Sequence, residues 1–175
     1  MFEDFNLLIS TSRRNERNAC SEAWYLLSDI GDKDAKVSLT NILGLVVAKT
    51  SLNPVEAVAK LRLLLKQKPW KFRYVLKVVP VEKIFSTGLE GVKEASMELA
   101  SRIGEAESFR VTVEKRHTDL STKDLIEAVA SQVQRKVDLK NPDRIVLVEV
   151  VGELTGISLL KPEDILSVER EKRSI

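Results

Sequence analysis

The sequence predicts an α+β protein built as two consecutive parts, residues 1–80 and 81–175. Three observations carry this reading. Apolar residues switch repeatedly between the spacing of a helix face and the alternation of a strand. The resulting order completes a β-α-β-β-α-β unit at Pro80 and then starts again. With 43% hydrophobic and 31% charged residues, and only 7 Gly and 5 Pro, the composition is that of a globular chain, and 175 residues can bury about two-thirds of their unfolded surface.

Residues 6–10 form a short apolar run suited to a buried strand, and Thr11 and Ser12 offer side-chain oxygens to cap a helix. Ala19, Ala23, Leu26, Leu27 and Ile30 then share one helical face, with Gly31 placed as a stop, so a helix is predicted over about residues 15–30. Asp32, Lys33 and Asp34 read as a solvated turn. Residues 35–39 and 42–49 are two strands close enough to pair as a hairpin. Asn53 followed by Pro54 is a strong helix start, and Val58, Leu61 and Leu65 give that helix an inner face before Pro69 closes it. A strand over residues 72–79 completes the split βαβ pattern of a ferredoxin-like domain.

The second part opens with a short turn of helix over residues 82–86. Leu89, Val92, Ser96, Leu99 and Ile103 mark a helix ended by Gly104, and Phe109, Val111 and Val113 alternate with polar neighbours as a half-buried strand. Ser121 with Asp124 three residues on is a capping-box variant, leading a stripe of Ile126, Val129, Ala130, Val133 and Val137. Asn141, Pro142 and Asp143 make a turn. Residues 145–151 and 154–160 are strands joined at Gly152 and Glu153, giving α-β-α-β-β in all. The tail, residues 163–175, reads as a final helix or a frayed end.

Several functional classes are excluded by what is missing. Cys20 and His117 are the only residues of their types, which rules out a disulfide framework and a zinc site of Cys and His ligands, and no cofactor is implied. Gly88 and Gly91 stand alone, outside any strand-to-helix phosphate loop. His117, beside Asp119, has no nucleophile to serve and reads as a surface histidine at a strand end. Glu149, the one carboxylate in a continuous apolar run, is open to two readings, a site residue or an ion pair across the sheet, and the second is the commoner. The acids precede the N-terminal apolar run and the arginines follow it, the reverse of a secretory signal, and no segment reaches about 20 apolar residues, so a cytoplasmic, reducing setting is expected.

The positive signal is electrostatic and local, since the net charge is only +2. Residues 57–81 contain no acid. Lys60, Arg62, Lys66, Lys68, Lys71, Arg73 and Lys77 fall inside this stretch, with Trp70, Phe72 and Tyr74 between the last of them. Cations to neutralise phosphates and flat rings to stack on unpaired bases are what a single-stranded RNA surface requires. If residues 72–79 are a strand, Phe72 and Tyr74 share one face and serve the core, which leaves Trp70 for stacking. Lys115, Arg116 and His117 form a second cluster, and Arg135, Lys136, Lys140 and Arg144 a third. Each alone is ordinary solvated surface; together they favour RNA.

The run from Lys136 to Leu160, KVDLKNPDRIVLVEVVGELTGISLL, resembles the signature of THUMP domains, in particular those of small proteins that assist acetylation of cytidine in tRNA. FRVTVEKRHTDLSTKDLIEAVASQV resembles the strand and capped helix before that signature, and RYVLKVVPVEKIF the junction that opens the domain. The resemblance implies a ferredoxin-like domain followed by a THUMP domain, which together bind tRNA with its CCA end on the joined module. It further implies a non-catalytic adaptor that presents tRNA to a separate RNA cytidine acetyltransferase. By the same resemblance Arg73, Lys77 and Pro80 mark the domain joint, Lys115 and Arg116 the strand-end cations, and Asn141 with Pro142 the signature turn. Rival readings are an RNA-binding subunit of another tRNA-modifying enzyme, a methyltransferase or a sulfur transferase, and a protein-interaction domain that docks an acidic partner.

Overall fold

The computed structural model describes residues 4–175; the start of the N-terminal run, residues 1–3, lies outside the described residues. Two compact units are present. One holds the chain up to Val81 together with Asp164–Ile175, and the other holds Glu82–Glu163.

The first unit runs β1 (Leu7–Ser10), α1 (Glu16–Asp29), β2 (Lys36–Leu39), β3 (Leu45–Lys49), α2 (Pro54–Gln67) and β4 (Lys77–Pro80). Its strands lie in the order β4-β1-β3-β2, antiparallel throughout, which is the ferredoxin-like arrangement. The inward stripes of both helices, including Ala23, Leu27, Val58 and Leu65, meet Leu7, Ile9, Val46 and Val78 of the sheet in one core. Asn53 starts α2 as its pattern predicts, its side chain accepting from the Val55 and Glu56 N–H groups at 3.0 and 3.2 Å.

The second unit runs β5 (Lys83–Ser86), α3 (Leu89–Ala100), β6 (Ser108–Arg116), α4 (Thr122–Ala130), β7 (Lys136–Val137), β8 (Arg144–Val151) and β9 (Leu154–Leu160). The sheet order is β5-β9-β8-β6-β7. Strands β5, β9 and β8 pair antiparallel, whereas β6 pairs parallel with both β8 and β7. Ser121 caps α4 by accepting from the Asp124 N–H at 3.0 Å. Val92, Leu99, Leu125 and Val129 of the two helices pack on Phe109, Val146, Val148, Ile157 and Leu159.

The chain then returns to the first unit through β10 (Leu166–Ser167) and α5 (Val168–Arg173). Strand β10 pairs antiparallel with β4, so it covers what would otherwise be an open edge. Leu166 and Val168 are almost wholly buried in the first core, and Arg62 of α2 donates to the Glu171 carboxylate at 2.9 Å and the Ile165 carbonyl at 3.1 Å. The tail is therefore neither frayed nor part of the second unit, as the boundary at residue 81 had it.

Other expectations differ from the structure for identifiable reasons. Where a helical turn over residues 82–86 is expected, Lys83–Ser86 form a strand, because β9 offers them a pairing edge. This places Gly88 between a strand and a helix after all, at the N-cap of α3, while Gly91 leaves room for the Phe85 ring, which a Cβ would meet at 2.6 Å. Helix α4 stops at Ala130, and Val137 pairs with Phe109 instead of extending the stripe. Asp32 is not a solvated turn residue but is 2% exposed. Its carboxylate accepts from the Thr50 hydroxyl, the Ser51 N–H at 2.9 Å, the Ser51 hydroxyl at 2.5 Å and the Asp34 N–H at 3.3 Å. Burial pushes the Asp32 carboxyl up, yet these hydrogen bonds outweigh it and hold the group below its ordinary value.

Candidate nucleic-acid interface

Pro69 disfavours helical geometry in the residue before it, so α2 ends at Gln67 and Lys68 takes a φ of −138°. Pro69–Lys71 then make a single 3-10 turn. The strand expected over residues 72–79 begins only at Lys77, because the backbone ahead of it is captured by a side chain. The Glu22 carboxylate of α1 accepts from the N–H groups of Arg73 at 2.8 Å, Tyr74 at 2.9 Å and Val75 at 2.6 Å. Three donors turned toward one carboxylate cannot feed a sheet ladder. Phe72, at 1% exposure, still serves the core and Tyr74 packs against it, although not through strand alternation.

This loop displays the first cluster. Trp70 is 67% exposed. Lys68 is exposed and Lys77 half-buried, and among the described residues neither has an ion-pair partner. Lys71 is bound to Asp29 of α1 at 2.7 Å, while the Arg73 guanidinium lies 5.7 Å from the centre of the Tyr74 ring.

In the second unit the parallel register separates the other two clusters. Phe109 of β6 pairs with Arg144 of β8 at one end, and Arg116 pairs with Val151 at the other. Seven residues of strand put these ends about 23 Å apart. Arg135, Lys136, Lys140 and Arg144 therefore gather at one end of the sheet, and Lys115, Arg116 and His117 stand at the opposite end.

Several of these cations already have structural partners. Arg116 donates to the Glu149 carboxylate at 2.9 Å, the ion pair that the sequence left as the commoner reading for that acid. Arg135 donates from Nε to the carbonyls of Ile103 and Gly104, closing the turn after α3. Arg144 faces Glu107 at 3.6 Å, and its Nε is buried without a hydrogen-bond acceptor. Lys115 reaches the Leu120 carbonyl at 2.9 Å. Lys136 and Lys140 remain exposed and outside any ion pair among the described residues, as does His117, which follows β6 with a φ of +55°. Arg110 escaped the sequence reading because it sits in the polar phase of a strand; it donates to the Leu139 carbonyl at 3.0 Å at the same end as Lys136 and Lys140. Arg102 is bonded to Glu82 at 2.6 Å, and that carboxylate holds its guanidinium above its ordinary value against the opposing effect of burial.

The cations thus sort by availability. Lys68, Arg73 and Lys77 in the first unit, which also exposes Trp70, and Lys136 and Lys140 in the second can neutralise phosphates without breaking an ion pair among the described residues. Among the described residues no three His, Cys, Asp or Glu side chains gather as metal ligands, and no helix is long and apolar enough to cross a membrane.

The fold is shared with solved structures of low sequence identity. PH1313 from Pyrococcus horikoshii superposes on 89% of this chain at a TM-score of 0.59 and 18% identity. A 4-thiouridine synthetase, solved with RNA and bound ATP, covers 94% at 0.56 and 18%. TrmN from Thermus thermophilus covers 87% at 0.55 and 20%. The present chain spans only 54%, 42% and 44% of those three chains, respectively. Comparison of the sequence with curated proteins finds no match. Residues 87–160, running from the end of β5 through β9, match the family model of the THUMP domain. The second unit of this chain is thus built around a THUMP domain.

Proposed function

We propose that this protein binds tRNA in the service of tRNA modification, as a non-catalytic adaptor that presents the tRNA to a separate RNA cytidine acetyltransferase. The observation that carries the reading is the THUMP domain over residues 87–160, in a chain whose other unit is ferredoxin-like and exposes Trp70. Lys68, Arg73, Lys77, Lys136 and Lys140 take phosphates, Trp70 stacks on an unpaired base, and the 3′ CCA end is among the contacted nucleotides. A second reading has its own support: SMU.472, a candidate methyltransferase, and a 4-thiouridine synthetase share the fold, so the chain also suits a methyl- or sulfur-transferring partner.

Filter binding tests the shared part. If those five cations each take one phosphate of a single strand, they contribute about −3.5 to the slope of log affinity against log salt. Intact tRNA should bind more tightly than tRNA trimmed of its CCA end; equal affinities would defeat the proposed mode. Co-purification separates the two readings by the enzyme retained, and acetyl transfer to tRNA by the chain alone would overturn the adaptor role.

A further inference from the structure

We propose that the turn before α1, with Arg13 and Arg14, and the outer face of α1, with Arg17, Trp24 and Tyr25, form a second contact strip for single-stranded RNA, in which the arginines take phosphates and the two rings take a base. The proposal rests on the RNA-binding reading above and extends it to residues outside the three clusters.

The charge argument comes first. Arg13, Arg14 and Arg17 are exposed, and among the described residues none has an ion-pair partner. The helix they lead also carries Glu16, Glu22 and Asp29, which would ordinarily balance them. All of those acids are engaged. Glu16 accepts from the Gly44 N–H at 3.3 Å, Glu22 binds the Arg73, Tyr74 and Val75 N–H groups, and Asp29 pairs with Lys71. Glu16 and Glu22 keep their charge, but their oxygens are taken up by backbone N–H groups, and among the described residues no carboxylate holds the three arginines.

The turn supporting them is unusual. The Asn15 N–H donates to the Ser12 carbonyl at 3.0 Å, which places Arg13 and Arg14 in the middle of a tight turn, and Arg14 has a φ of +76°. Glycine or asparagine is the ordinary occupant of that conformation, so an arginine is kept there at a conformational cost.

The aromatic argument is independent. Arg17 and Trp24 stand seven residues apart, two turns along one face and about 10 Å along the axis, a distance that a few nucleotides cover. Trp24 is 44% exposed and Tyr25 64%, with ring centres 5.0 Å apart and planes at 83°. They border an open cleft of about 310 Å³, lined also by Cys20, Ser21 and Val37. That size is at the small end of ligand clefts, which run roughly 300–1,000 Å³, and among the described residues the lining contains no carboxylate to repel a phosphate. Burial pushes the Cys20 thiol up, so this wall stays neutral at physiological pH. Flat rings beside unpaired arginines form the combination by which single strands are held without sequence readout.

The test uses the full chain, tRNA and an unstructured oligouridine. The triple variant Arg13→Ala, Arg14→Gly, Arg17→Ala should make the salt slope shallower by about 2, the share of three phosphates of a single strand. Glycine adopts the Arg14 conformation freely, and the unfolding midpoint checks that the variant folds. Trp24→Ala should weaken oligouridine binding on the order of tenfold. In Trp70→Phe, where Trp24 is the remaining tryptophan, saturating RNA should quench the fluorescence. RNA binding with an unchanged slope and an unquenched Trp24 would overturn the strip and leave the wider reading standing. No RNA binding by the unaltered protein would remove both. Loss of self-association in Trp24→Ala with RNA affinity intact would make the face a protein contact, which also overturns the proposal.

Discussion

Glu22 shows how one side chain decides the shape of a loop that its neighbours in sequence do not. Its carboxylate collects the N–H groups of Arg73, Tyr74 and Val75 from a segment about fifty residues away. Hydrogen bonds to a charged group contribute about 1.5–3 kcal/mol each when buried. Arg73 is exposed, so water replaces part of the loss, and Glu22→Ala is expected to cost about 2 kcal/mol in urea unfolding. Faster hydrogen exchange at the amides of residues 73–75 should accompany it, and unchanged exchange would show that the capture is unimportant. Asp32 supplies the pH dependence at this scale. Its carboxyl is depressed in the folded state, so the unfolded chain binds the proton more readily. The contribution is present in full above the unfolded value of about 3.9 and disappears as pH falls through the lower folded value. Unfolding followed from pH 6 to pH 2 should therefore show a smaller acid loss in Asp32→Asn than in the parent protein.

Among the elements, the tail has the most to test. Strand β10 and α5 bury Leu166 and Val168 in the first core, at 0% and 1% exposure, and close the β4 edge. Burying each of two such side chains is worth about 1.5–3 kcal/mol, and this is an upper estimate because the unfolded chain is itself partly compact. Truncation after Glu163 should destabilise the first unit by about 3–5 kcal/mol. The change should appear as increased hydrogen exchange in β1 and β4, with β6 and β8 of the second unit unaffected. Protection unchanged in β4 would mean that the edge does not need its cover. Helices α2 and α4 were legible at their starts, because Asn53 and Ser121 cap them through side chains adjacent in sequence, whereas α1 has Asn15 at its N-cap without the side-chain cap that Thr11 and Ser12 offered. Strand β5 was not, since nothing within residues 82–86 announces the β9 edge that orders it.

At the scale of the whole molecule, 28 cations face 26 acids, and the net charge of +2 leaves binding to be decided by which cations are uncommitted. Arg116 and Lys136 give opposite expectations. Arg116→Ala takes the guanidinium away from Glu149, a side chain 3% exposed. Its cost is expected to be about 2–3 kcal/mol of stability, below the roughly 3–5 kcal/mol of a fully buried pair because Arg116 keeps 23% of its exposure. Lys136→Ala with Lys140→Ala should leave the unfolding midpoint in place and make the salt slope of RNA binding shallower by about 1.4. A stability loss in the lysine variant, or none in the arginine variant, would reverse this assignment.

The sequence by itself determined the elements whose signals are local, and with them the ferredoxin-like order of the first unit and strands β6, β8 and β9 of the second. Periodicity, caps and turns act over a few residues, so one chain without alignment displays them. It also displayed the cations, but not their partners. Only the tertiary structure showed that Lys71, Arg116, Arg135 and Arg144 are drawn into internal contacts, that the parallel register sets Lys115 and Lys140 at opposite ends of one sheet, and that the acids of α1 are occupied while its arginines are not. The physical reason is common to all three. A charge is available or spent according to what lies within a few ångströms, and in this fold those neighbours come from tens of residues away along the chain.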